Sequence, residues 1–380
     1  MARRGRAGIA AAALFLLLLA PAGLAPAPAS PASSSGPVLE PAAAKAVAAS
    51  AKAVPIWRST PEQARRRYEK GQRLVPVDAP GAVVRRLDVP YGRARTDVAE
   101  AKATAGATVR TYVYRPAGAA ADLPAVVYLH GGGWILGGPA THDRLVRQLA
   151  TRIRAAVVLV DYSHAPGARF PVALNESEAV VRWLRREGRR VGIDPARVAV
   201  AGDSAGGAMA AALAVRAERW PGPRLRAQVL LYPVTDAGMN TASYREFATG
   251  YSLTARTMRW FWEAYVPDPA ARLDPAAAPL RATDGQLAHV APALVVTAEA
   301  DVLRDEGEAY AYRLRAAGNR VLATRYPAIV HDFLSRNNLY ATHAAHAALR
   351  QVTDFLAAEL HDPLPASRPW RRGSGAGVGP

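Results

Sequence analysis

Val198-Ala199-Val200-Ala201-Gly202-Asp203-Ser204-Ala205-Gly206-Gly207 is the stretch whose reading decides the fold. Four small apolar residues read as a buried strand. A glycine-flanked serine follows, and then an Ala/Met/Leu-rich stretch with helical character. A G-x-S-x-G motif between strand and helix is a nucleophile elbow, in which the serine sits on a turn so sharp that its backbone is strained. Side chains two positions either side of it would collide, which accounts for Gly202 and Gly206. The helix that follows turns its positive end toward the serine.

Working outward, continuous apolar runs recur at Ala125 to Leu129, Ala155 to Val160, Ala227 to Leu231 and Ala293 to Thr297. Short runs of this kind suit parallel strands covered on both faces. Helical stretches separate them, at His142 to Arg152, Asn175 to Arg186, Ala205 to Arg219 and Asp305 to Ala317. The alternation predicts a mostly parallel sheet flanked by helices, the α/β class. Val83 to Val89 and Val109 to Tyr114 have no helix between them, so the leading edge is expected to be antiparallel. One interval, about 236 to 291, lacks a strand and holds Trp260, Phe261, Trp262 and Tyr265. It reads as a helical insertion whose aromatics either line a specificity pocket or form the insertion's own core.

His130-Gly131-Gly132-Gly133-Trp134 directly follows an apolar run. Acyl transfer passes through a tetrahedral oxyanion that needs aimed backbone N–H donors, and glycines let a loop come close to a substrate. The N–H groups of Gly132, Gly133 and Ala205 are the candidate oxyanion hole. A phosphate cradle is the competing use of such a loop, but the lysine and spacing of G-x-x-x-x-G-K-[ST] are missing.

Among eight histidines, His331 alone occupies a late loop beyond the last strand-like run, Arg320 to Tyr326 and Pro327. The Ser…Asp…His chain order requires its base there. His130 shapes the glycine loop, His142, His164 and His289 fall at helix edges or in loops, and His343 with His346 reads as surface. Asp301 ends the run Ala293 to Ala300 and is the candidate orienter of His331. Its rivals are Glu299, Asp332 and Asp305, the last better suited to capping the helix that follows.

Taken as an ordered set, these motifs resemble the hormone-sensitive-lipase-like family of α/β-hydrolases. Asp161-Tyr162-Ser163-His164-Ala165-Pro166 and Asp301-Val302-Leu303-Arg304-Asp305-Glu306-Gly307 complete the set, and the resemblance spans roughly residues 55 to 358. It implies a carboxylic-ester hydrolase that uses no cofactor or metal and acts on a small-molecule ester, with Ser204, Asp301 and His331 as triad. It also implies a helical cap, here about 38–81 and 237–285. Two departures stand out. Asp332 occupies a position after the histidine that is often glycine, and a carboxylate there would raise the His331 pKa. The Pro166-Gly167 stretch lacks the acid often found after that proline. A triad by itself serves amides and lactones as readily as esters, while a ligand-binding relative would have lost part of it.

The flanks and the composition complete the reading. Arg3, Arg4 and Arg6 precede an apolar stretch, Ala7 to Ala20, that is short for a membrane span. Ala27-Pro28-Ala29 then offers a small-x-small cleavage site, so residues 1–29 read as a signal peptide and the protein as secreted, with no stable membrane span after cleavage. Residues 30–44 read as a disordered linker, 45–360 as the hydrolase domain and 361–380 as a disordered tail. Thr60-Pro61-Glu62-Gln63 has capping-box spacing and should start a helix that stops at Gly71. The chain of 380 residues contains no cysteine, which excludes disulfides and thiol chemistry. Its formal charge of +17 comes from 48 basic residues of which only Lys45, Lys52, Lys70 and Lys102 are lysine. The scattered arginines bring no recognition motif, so nucleic acid is not expected as a partner. A helix near the C-terminal end offers a surface for a homodimer.

Overall fold

The computed structural model describes residues 36–91, 107–119 and 122–362. The expected signal peptide, the first part of the expected linker and the tail beyond 362 lie outside the described residues.

Eight strands form one sheet: β1 (Ala82–Pro90), β2 (Thr108–Pro116), β3 (Leu123–Leu129), β4 (Ala156–Val160), β5 (Ile193–Asp203), β6 (Gln228–Leu231), β7 (Ala293–Ala300) and β8 (Val321–Val330). Their order is β1-β2-β4-β3-β5-β6-β7-β8. β1 and β2 pair antiparallel, as do β2 and β4, and every later pairing is parallel. The central strands are apolar on both faces because helices cover both: Val126, Val127, Val158, Val200 and Val229 are all fully buried.

The covering helices are α3 (Pro139–Ile153), α4 (Val172–Glu187), α5 (Ala205–Ala217), α9 (Arg304–Ala316) and α10 (His343–His361). The order reverses between β4 and β3, and ligands in open α/β sheets bind beyond the carboxyl ends of strands beside such a switch. The chain leaves β3, β5, β7 and β8 at that edge, carrying the glycine loop, Ser204, Asp301 and His331 respectively.

Two segments rise over this edge. The first holds α1 (Pro41–Lys52) and α2 (Pro61–Arg73). The second holds α6 (Ala242–Glu246), α7 (Ala255–Tyr265) and α8 (Asp284–Leu287). The capping box at the start of α2 forms: Gln63 N–H donates to Thr60 Oγ1 and Thr60 N–H to Gln63 Oε1.

Three expectations need correction. The linker assigned to 30–44 is already helical from Pro41, because Ala43 and Ala46 pack into the core and Glu40 is anchored, its carboxylate accepting from the N–H groups of His343 and Ala344. Helix α2 does not stop at Gly71 but continues to Arg73. The extra turn buries Gln72, whose amide donates to the carbonyls of Thr141 and Ser335 and accepts from Asn337 N–H. The last strand runs through Pro327 to Val330, which an edge strand tolerates, so His331 sits directly at its end.

Candidate active site

Ser204 stands at the turn between β5 and α5 with φ 53° and ψ −118°, a left-handed conformation that costs a non-glycine residue energy. The surroundings hold it there. Its N–H donates to Leu231 O at 2.8 Å, and its carbonyl accepts from Ala208 and Val234 N–H. A side chain on Gly202 would strike the Gly206 backbone, and one on Gly206 would strike the Leu129 and His130 carbonyls. The glycines let the turn press against β3.

His331 brings Nε2 to 2.9 Å from Ser204 Oγ and Nδ1 to 2.6 Å from Asp301 Oδ2. All three side chains are almost wholly buried. The second Asp301 oxygen accepts from Leu303 N–H at 3.0 Å, which fixes the carboxylate plane.

Two of the rival acids are engaged elsewhere. Glu299 accepts from Ala328 N–H. Asp305 lies in the first turn of α9 but does not cap it. The N-cap there is Leu303, and Asp305 instead accepts from Ser243 N–H at the start of α6.

Gly132 and Gly133 adopt positive φ of 111° and 60°. Neither of their N–H groups nor that of Ala205 donates a hydrogen bond among the described residues. Gly132 and Gly133 border the cleft that holds Ser204, and Ala205 directly follows that serine, so an oxyanion formed there could recruit all three. Gly133 packs so closely on the Phe261 ring that any side chain would overlap it.

The elbow's Asp203 positions this loop. Fully buried, it accepts from Gly131 N–H at 2.9 Å and Tyr128 Oη at 2.8 Å, with His142 Nε2 at 3.3 Å from its second oxygen. Burial works to raise its pKa, but His142 and Tyr128 hold it below the ordinary aspartate value. Tyr162 donates to His130 O at 2.7 Å and stacks on the His130 ring. From the cap, Arg65 donates to the carbonyls of Ile135 and Ala165.

A profile for the family described as alpha/beta hydrolase fold matches residues 126–335, more than half of the chain. The chain belongs to the hormone-sensitive-lipase-like family of α/β-hydrolases. An ethyl acetate hydrolase of Pseudomonas putida is 36% identical over 298 residues, covering 76% of this chain and 87% of its own. Carboxylesterase NlhH of Mycobacterium tuberculosis is 40% identical over 227 residues, covering 59% and 70%. The crystal structure of a thermostable esterase from Pseudomonas putida ECU1011 matches with a TM-score of 0.80 at 40% identity, over 86% of this chain and 99% of that one.

The hydrolase departs from a bare triad at Asp332. Its Oδ1 lies 3.4 Å from His331 Nε2 and is buried without a hydrogen-bond partner. Burial alone would lower the imidazole pKa, but the Asp301 and Asp332 carboxylates outweigh it and lift it to about 9, with Asp203 adding to the same field. Below that pH the free enzyme carries a protonated base. Its kcat/KM should therefore climb with pH through a limb near 9 rather than level off at neutrality. In Asp332→Asn, whose side chain tolerates the φ of 66° found there, the limb should move down by about one unit. A pH–rate profile unchanged in the variant would remove Asp332 from the account.

Several contributors were invisible to sequence reasoning. His142 was expected at a helix edge, yet it is fully buried against Asp203. Of the insertion's aromatics, Trp262 and Tyr265 form core: both are buried, with Tyr265 stacked on Trp134 and Trp262 tilted against it. Phe261, directly before Trp262 in sequence, is the one that lines the cleft. Glu306 is buried below the loop after β6, accepting from Thr235 and Asp236 N–H, and burial pushes its pKa far up.

Proposed function

We propose that the hydrolase cleaves carboxylic esters of short to medium acyl chain by a Ser-His-Asp acyl-enzyme mechanism. The observation that carries this reading is the continuous line Asp301 Oδ2, His331 Nδ1, His331 Nε2, Ser204 Oγ, with contacts of 2.6 and 2.9 Å. Asp301 keeps the Nδ1 proton on its own side, which leaves the Nε2 lone pair facing the hydroxyl. His331 takes the Ser204 proton as Oγ attacks the ester carbonyl. The oxyanion that forms accepts from Gly132, Gly133 and Ala205 N–H, donors already oriented and unspent. The C–O bond to the alcohol then breaks, and the alcohol departs with the proton from Nε2. Water repeats the sequence on the acyl-enzyme, yielding the acid and restoring Ser204.

The chain-length preference draws on the cleft, about 600 Å³ in volume and walled by Leu136, Leu253 and Phe261, and on the relative named ethyl acetate hydrolase. The test is a series of p-nitrophenyl esters from acetyl to palmitoyl. We expect kcat/KM to peak at short chains and fall steeply for long ones. A rate that keeps rising to palmitoyl would replace the short-chain reading with that of a lipase. A folded protein inert toward every ester but active on amides would move the assignment to an amidase.

The reading includes export. The basic, apolar and small-residue segments of 1–29 form a signal peptide whose removal leaves Ser30 as the first residue. Mass spectrometry of the protein recovered outside the cytoplasm should return that N-terminus. An intact Met1 on the exported protein would assign the segment to an uncleaved anchor.

A further inference from the structure

We propose that the cleft selects esters bearing a free carboxylate, received by the guanidinium groups of Arg67, Arg256 and Arg336. The inference rests on the proposed Ser204 mechanism and names the substrate class it would serve.

All three arginines line the cavity that contains Ser204 and His331. Elsewhere in the molecule arginine charge is commonly cancelled by a close acid: Arg281 with Asp236, Arg320 with Glu359, Arg216 with Glu178. In the cleft it is not. Among the described residues none of the three has a carboxylate within ion-pair distance, and each is held by neutral groups instead. Arg67 donates to Val54 O at 2.6 Å and Ser59 Oγ at 3.2 Å. Arg256 lies over the Trp57 ring at 3.7 Å, and Arg336 over the Tyr68 ring at 5.7 Å.

Stacking and backbone bonds fix a guanidinium without neutralising it, and a stacked guanidinium keeps its edge N–H groups available for a planar anion. Asp332 is the sole acid in the lining, and it already lies against His331. It offsets part of the Arg336 charge, which leaves the cleft positive. Low-dielectric walls concentrate such a field and raise the local concentration of an oppositely charged ligand. Tyr68, over which Arg336 lies, lines the same cavity. A neutral alkyl ester would leave the three guanidinium groups unused; an ester with a second, ionised carboxyl group would engage them.

Arg256 also ties the two cap segments together, since from α7 it reaches Trp57 after α1. The test therefore needs a readout that a merely structural role would not move. Mono-p-nitrophenyl glutarate is compared with its neutral isostere, in which an isopropyl group replaces the carboxylate. A second pair places the carboxylate on the alcohol side, using the acetate of γ-hydroxybutyrate and its isopropyl counterpart. At low ionic strength kcat/KM should favour the charged member of at least one pair by about tenfold. The preference should decay as added salt shortens the Debye length. Whichever pair responds identifies the side of the ester that faces the arginines.

Arg67→Gln, Arg256→Gln and Arg336→Gln should each lower the charged-to-neutral ratio while the neutral ester is still cleaved. The matching lysine variants should retain most of it. Ratios at or below one in both pairs, with neutral esters turned over well, overturn the proposal and leave the esterase mechanism standing. A ratio that survives in all three glutamine variants overturns it as well. Should no ester be cleaved, the mechanism itself fails, and calorimetry with glutarate then tests the cleft directly. Glutarate binding that is absent, or equal in wild type and the glutamine variants, overturns the anion site too.

Discussion

Ser204→Ala is expected to lower kcat for ester hydrolysis on the order of a millionfold, the loss typical when a triad nucleophile is removed. The fold should not suffer. The Ser204 side chain makes one hydrogen bond, to His331 Nε2, while its backbone is held by Leu231, Ala208 and Val234. Alanine keeps those backbone bonds and occupies the same strained turn. The melting temperature should therefore stay close to that of the wild type, and removing a polar group from a preorganised site can raise it. A serine-directed phosphonate should add its mass to the wild-type chain at Ser204 and leave the variant unlabelled. Ester turnover in the purified variant comparable to wild type would place the nucleophile elsewhere and end the mechanism.

Asp301→Asn should be the next most damaging change, costing about four orders of magnitude in kcat, as tautomer disruption does in other triads. The geometry gives the reason. Asp301 Oδ1 already accepts from Leu303 N–H, so an asparagine keeps its oxygen there and turns its NH2 toward His331 Nδ1. The imidazole must then accept at Nδ1 and carry its proton on Nε2, where it can no longer take one from Ser204. Asp332, 3.4 Å from Nε2, would accept that proton and hold the ring in the wrong form. The double variant Asp301→Asn with Asp332→Asn should therefore recover part of the loss. A single variant within tenfold of wild type would show that Asp301 does not set the tautomer.

Much of this site was legible because the signals were local. The elbow announces itself in five residues, since the crowding that demands Gly202 and Gly206 acts across one turn. The glycine loop follows its strand directly, and His331 and Asp301 follow from chain order. What escaped was decided by distant packing. Nothing near His142 reveals that β5 will set Asp203 against it, and a histidine in the first turn of a helix looks like an exposed one. Gly71 carries the local signal for a helix end, but burying Gln72 against residues more than two hundred positions away outweighs it. Phe261 and its aromatic neighbours are alike in composition. Only the phase of α7 sends Phe261 to the cleft and Trp262 to the core.

The long reach of those contacts has a consequence for the order in which the enzyme becomes active. Glu40 is bonded to residues 303 positions later, and Gln72 to one 265 later. These two links seat the loop that carries the base and the start of the helix behind it. During synthesis Ser204 emerges well before His331, and the N-terminal helices, which can already meet Ile135, Thr141 and Ala165, lack these last anchors until the final helix exists. On the proposed mechanism a chain that stops short of His331 has no base, and contacts so distant in sequence are of the kind that slows folding. On that mechanism a newly made molecule is expected to stay silent toward the cell's own esters until its last segment has been completed and docked.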